Sequence, residues 1–81
     1  MARQHSDDLA VDCFAAAMKA KLAKKRRDGK RGWKNKNAIS ANELSQMLMD
    51  HVLKGDPVDV ANLAMMLHQR GDRIVLQGDQ P

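Results

Sequence analysis

The four residues Lys54, Gly55, Asp56 and Pro57 constrain this chain more than any other stretch, because together they stop one helix and start the next. Lys54 sets a cation at a helix C-terminus, and Gly55 supplies the residue type that turns the backbone left-handed there. Asp56 is an N-cap, Pro57 takes the first helical position, and Asp59 adds a carboxylate at the third. Apolar periodicity continues on both sides of this turn. Upstream, Leu44, Met47, Leu48, His51 and Val52 make a stripe that Met49 and Leu53 widen. Downstream, Val60, Ala61, Leu63, Ala64, Met65, Met66 and Leu67 are apolar around most of a helix, which places that helix centrally or against a second subunit. Arg70-Gly71 ends it.

The other boundaries follow from the same chemistry. Ser40-Ala41-Asn42-Glu43 has the form of a capping box, so helix two begins there. Ser6, followed by Asp7 and Asp8, is an N-cap with two carboxylates at the positive end of a helix dipole. Val11, Phe14, Ala15, Met18 and Leu22 then recur at helical spacing, and Lys24, Lys25, Arg26 and Arg27 fall in the last turn before Asp28-Gly29. The reading is a single all-α domain over residues 1–81. Helix one covers about 7–27, a loop 28–39, helix two about 41–54, helix three about 57–70, and a tail 71–81. Within the tail, Ile74-Val75-Leu76 is a short apolar run expected to form a C-terminal arm packed on a neighbour.

Only one Phe, one Trp and no Tyr are present beside six Met, a flexible apolar stock that suits helix packing and argues against a β-sandwich. A chain of 81 residues has a thin core, so a homo-oligomer is expected. Cys13 is the single cysteine, which excludes an intramolecular disulfide and fits a reducing compartment. No stretch approaches the length of a membrane span, and the first residues lack a signal-peptide core, so a cytoplasmic protein without a membrane partner is expected.

Charge is unevenly placed. The net value is +4, yet Lys19 to Lys36 holds ten cations and one acid, and the remainder is net negative. Such asymmetry points to a polyanionic partner. Arg26, Arg27, Lys30, Arg31 and Lys34 are candidate ligand contacts, with Trp33 among them as an aromatic that either stacks on a base or pins the loop to the core. Solubility alone is the plain alternative for such a run. Lys54, His51, His68 and Arg70 are secondary candidates for polar contacts.

The carboxylates Glu43, Asp50, Asp56 and Asp59 are the candidates for a magnesium-dependent enzyme. Glu43, Asp56 and Asp59 are also accounted for as caps, which leaves Asp50 without a structural role. Two histidines without a third ligand at metal spacing do not make a zinc site, and Cys13 has no neighbouring cation to activate it. A helix-turn-helix around Gly55 is disfavoured, because helix three begins with Val58, Val60 and two carboxylates where a recognition helix needs polar contacts to DNA.

The segment Gly32 to Gly71 resembles a module of small accessory proteins of tailed phages and prophages, through Gly32-Trp33, the string HVLKGDPVDVAN from His51 to Asn62, Met65-Met66-Leu67 and Arg70-Gly71. The resemblance covers about half the chain. It implies a phage or prophage origin, hence action in the host cytoplasm, and a distant similarity to domains labelled MazG-like or dATP/dGTP diphosphohydrolase. MazG-like enzymes hold magnesium with an ExxE pair and an ExxD pair. Here Gln46 stands where the second acid after Glu43 belongs, and Asp56 replaces Glu ahead of Asp59. The expected function is therefore a non-enzymatic, anti-defence type of accessory protein without a cofactor. Its target would be a nucleotide, including a signalling nucleotide, or a host defence or nucleic-acid-binding complex. The alternatives are a magnesium-dependent nucleotide pyrophosphohydrolase and a DNA- or RNA-binding protein.

Overall fold

The computed structural model describes residues 4–76, and within them the chain is three α-helices with no strand. They are α1 (Ser6–Arg27), α2 (Ala41–Lys54) and α3 (Pro57–Gln69). Helix boundaries thus match the sequence reading to within a residue or so. At Ser40 the capping box is complete, with the hydroxyl accepting from the Glu43 N–H at 3.1 Å and the Glu43 carboxylate accepting from the Ser40 N–H. After α2, Gly55 has φ of 78°, a conformation that strains any residue with a Cβ. There the Gly55 and Asp56 N–H groups close back on the Val52 and His51 carbonyls. The same pair of bonds closes α1 at Gly29 and α3 at Gly71.

One cap differs from expectation. His5, not Ser6, is the N-cap of α1, and its Nδ1 accepts from the Asp7 N–H at 2.9 Å. An unprotonated imidazole nitrogen offers the same lone pair as a hydroxyl, and Ser6 becomes the first helical residue instead.

Helix α3 is the element on which both others pack. The core consists of Leu44 and Leu48 from α2 and Leu63 and Leu67 from α3, with Ile39, Ala41, Val60, Ala64 and Met66 around them. The stripe predicted for α2 is narrower than its sequence pattern. Leu44, Ser45 and Leu48 are buried, whereas Met47, Met49, Val52 and Leu53 are exposed, Leu53 by 85%. Helix α1 has no fully buried residue.

Polar side chains attach the remaining segments to this hairpin. Lys21 of α1 reaches Asp56, the N-cap of α3, and Asp59 in its first turn, each at 3.4 Å, and the Asn62 side-chain amide donates to the Met18 carbonyl at 3.2 Å. Arg70, whose side chain is 3% exposed, donates to the Trp33 and Ile39 carbonyls at 2.8 and 3.0 Å and faces Asp72 at 2.9 Å. After Gly71 the tail runs back along α2, where the Val75 N–H donates to the hydroxyl of the fully buried Ser45 at 2.9 Å. Val75 is thus tied to α2 of its own chain, while Ile74 and Leu76 are half exposed. The tail beyond 76 lies outside the described residues.

Hydrogen bonds from its own helix backbone and the nearby Lys21 hold the Asp56 carboxyl below its ordinary 3.8, and the bond to Asp59 and the charges of both carboxylates hold the Lys21 ammonium above its ordinary 10.5. The lowered acid stabilises the fold above pH 3.8 and loses that contribution as pH falls through its lowered value. The raised lysine contributes fully below pH 10.5 and loses it as pH rises through its raised value. Docking of α1 should be complete between these limits, and in Lys21→Met the alkaline loss seen by amide exchange in α1 should disappear. Arg70→Met should cost about 3 kcal/mol in denaturant unfolding, because it strands two carbonyls and leaves the Asp72 carboxylate beside an apolar chain.

Candidate functional site

Because α1 packs on α3 and α2 packs on α3 from another side, a space stays open between α1 and α2. The loop from Asp28 to Ile39 closes one end of it. The loop is not loose: Lys30 N–H returns to the Lys25 carbonyl, Asn35 N–H donates to Gly32, and Ala38 and Ile39 N–H groups both donate to Asn35. Asn35 adds a side-chain bond to the Asn37 N–H at 2.9 Å. With Arg70 holding its two carbonyls, this loop is a fixed wall.

The result is a cleft of about 770 Å³. Its floor is apolar, formed by Leu22, Ile39, Leu44, Met47, Leu63 and Met66. Lys25, Arg26, Lys30, Arg31 and Lys34 surround it, and Trp33 lies among them with the Lys34 ammonium 5.6 Å from its ring centre. Among the described residues none of these five cations is in an ion pair. A shallower groove of about 570 Å³ lies on the other side of the Trp33 loop, bounded by Lys36, Met65 and Gln69.

The ten cations of the basic segment therefore separate by position. Lys21 is bound to Asp56 and Asp59, and Lys36 to Asp72 at 3.3 Å. Five line the cleft. Lys19, Lys24 and Arg27 are exposed and do not line it. Of the residues predicted for ligand contact, Arg26, Lys30, Arg31, Trp33, Lys34 and His51 line one cleft, whereas Arg27, Lys54 and His68 lie elsewhere on the surface. Arg70 borders only the shallow groove, and its guanidinium is already committed to the loop.

At the inner end, His51, Asp59 and Asn62 form a polar cluster. Asp59 and Asn62 are buried, at 7% and 4% exposure. Among the described residues, His51 Nδ1 lies 3.5 Å from the Asp59 carboxylate without a hydrogen bond, and Asn62 Oδ1 has no partner, its amide nitrogen being turned toward Met18. Asp59 thus does more than cap α3. It is the carboxylate on which Lys21 and His51 converge, inside the lining of the cleft.

The four candidate magnesium ligands are not gathered. Glu43 is exposed at the start of α2 in its capping box, and Asp50 is exposed and accepts from the Gln46 amide at 3.1 Å. Asp56 and Asp59 share Lys21, which already supplies the positive charge. Among the described residues no three His, Cys, Asp or Glu side chains are placed to hold a metal ion.

Lys25 and Asn62 belong to the site and escaped the sequence reading. In sequence Lys25 is one of four cations in the last turn of α1, where charge of that sign suits a helix C-terminus. Asn62 carried a usable signal, since it is an amide in the middle of an otherwise apolar helix, where it needs a partner or a ligand. No helix among the described residues is long and apolar enough to cross a membrane. Compared with protein-family models, curated proteins and solved structures, the chain has no significant match.

Proposed function

We propose that this protein is a non-enzymatic binding module for a small polyanion of the nucleotide class. One observation carries the reading: five cations without ion-pair partners among the described residues surround a single cleft with an apolar floor. Like charges held together this way repel each other until an anion arrives. A nucleotide meets both requirements, with phosphates on the rim and a base against the apolar floor or the Trp33 ring. The volume is in the range typical of small-molecule sites. Sequestration of a signalling nucleotide suits such a module, and it agrees with the phage-type accessory proteins that Gly32 to Gly71 resembles.

The magnesium enzyme is the weaker reading, because a nucleotide held here would find Asp56 and Asp59 neutralised by Lys21. Plain nucleic-acid binding would use the outer cations Lys19, Lys24 and Arg27 as well as the rim.

Calorimetric titration with linear and cyclic nucleotides tests the proposal. Saturable binding should be seen without magnesium, and Arg31→Glu and Lys34→Glu should each weaken it by about tenfold, the loss of one charge-assisted contact. Lys24→Glu, on the outer face, should change it little. No saturable binding by any nucleotide would sink the proposal, and so would magnesium-dependent release of pyrophosphate that Asp56→Asn abolishes. Equal losses from Lys24→Glu and Arg31→Glu on single-stranded DNA would favour the nucleic-acid reading instead.

A further inference from the structure

Helix α1 is longer than its support. From Gln4 to Phe14 every residue is exposed, and the half-buried positions that meet the body begin at Ala15 and Met18. The projecting half is nevertheless apolar on one side. Val11 and Phe14 continue the line of Met18 and Leu22 at helical spacing, yet they are 64% and 38% exposed. A projecting stretch of about three turns gains nothing from packing, and helices that short are marginal in water by themselves.

Charge on the helix is segregated along its length. Ser6 to Met18 contains three acids and no cation, and Lys19 to Arg27 contains six cations and no acid. Two such helices side by side in parallel would set like charges together. Antiparallel, they oppose unlike charges, and the arrangement is self-complementary, as a two-fold interface requires. The register is fixed by two features together. Asp8 and Lys19 are three turns apart, so they share one flank of the helix beside the Val11 and Phe14 line. A two-fold axis passing between Cys13 and Phe14 brings each Asp8 opposite the second copy's Lys19 while Val11 and Phe14 of the two copies cover one another.

We infer that the projecting half of α1 is a homodimer interface, in which the Val11 and Phe14 faces of two copies of this chain pack antiparallel with Asp8 of each set against Lys19 of the other. The occupant is a second copy because one helix carries both halves of the charge match. Neither Asp8 nor Lys19 is in an ion pair within the described residues. The contact is short, below the roughly 1,200 Å² of a standard interface, so the dimer is weak and dissociates in the micromolar range. This inference does not depend on the ligand of the cleft, since Asp8, Val11 and Phe14 do not line it and neither does Lys19.

Sedimentation velocity on the full chain over a concentration series tests it. A reversible monomer–dimer equilibrium is expected, weaker at about 500 mM than at about 50 mM salt, because the flank contacts are screened. Asp8→Lys alone and Lys19→Glu alone should each weaken the dimer several-fold by setting like charges together, and an equimolar mixture of the two should restore it, since both flank pairs are then opposite in sign. Val11→Ser with Phe14→Ser should leave a monomer, with far-UV circular dichroism confirming that the helices persist. A protein that stays monomeric at several hundred micromolar overturns the inference. So does a dimer that the serine variant or both charge reversals leave unchanged, and so does a mixture no tighter than its components. Both charge positions are exposed, so these variants keep the test decisive even if the serine variant unfolds.

Discussion

Among the described residues, four leucines make up the fully buried apolar core, and that scarcity governs the rest of the molecule. At about 2 kcal/mol for each buried side chain, they hold α2 to α3 and little else. Outside the hairpin, Ile39 adds partly buried packing, and each segment is also tied by a polar side chain. Lys21 and Asn62 tie α1 to α3, Arg70 ties the loop, and Ser45 ties the tail. Such bonds are directional, so they fix orientation where a larger core would fix it by shape. Their energies are modest, which is why the outer half of α1, beyond the last tie at Met18, has no support from its own subunit.

The cleft is a consequence of the same economy. With α3 as the shared surface, α1 and α2 do not close on each other, and a larger apolar side chain at the interface would have filled the gap. Instead the floor is made of the outer edges of core residues such as Leu44 and Leu63, and the walls are the charged end of α1 and the loop. Arg70 is decisive in this arrangement. Its guanidinium neutralises Asp72 and satisfies two loop carbonyls, so the segment bearing Lys30, Arg31, Trp33 and Lys34 is pinned to the body although it contains no helix. A binding site on a pinned loop loses less conformational entropy when an anion arrives than one on a mobile segment.

Helix ends were legible in the sequence because capping is local chemistry. The Ser40 and Glu43 reciprocity, the Asp56-Pro57 start and the glycines at 29, 55 and 71 act over four or five residues, and no tertiary contact overrides them. His5 shows the margin of error, since two adjacent residues both offered a lone pair. What the sequence could not show were interactions across long separations. Asp59 reads as a first-turn carboxylate until Lys21, far away in sequence, is placed beside it. Arg70 reads as a helix-end cation until the carbonyls of Trp33 and Ile39 turn toward it. The tail run Ile74 to Leu76 reads as an arm for a neighbour, and the fold adds a bond from its middle residue to a buried serine on α2. Ser45 has no pattern of its own to betray that role. The basic segment was visible as a count, while its division into bound, rim and outer cations required the fold.

That division also bears on whether the two ends of α1 influence each other. The cleft takes Lys25 and Arg26 from the last turns of the helix, and the proposed dimer contact takes Lys19, six residues earlier. At 1.5 Å per residue this is about 9 Å along the axis, close to the Debye length at physiological salt. An anion on the rim would therefore lower the positive potential at Lys19 only slightly, and the direct electrostatic coupling between ligand and dimer is small. The remaining route is mechanical, through the docking of α1 at Lys21, which lies between the two sites. Lys21 joins Asp56 and Asp59 between the two sites, so α1 is clamped there, with the cleft toward one end and the exposed apolar face toward the other.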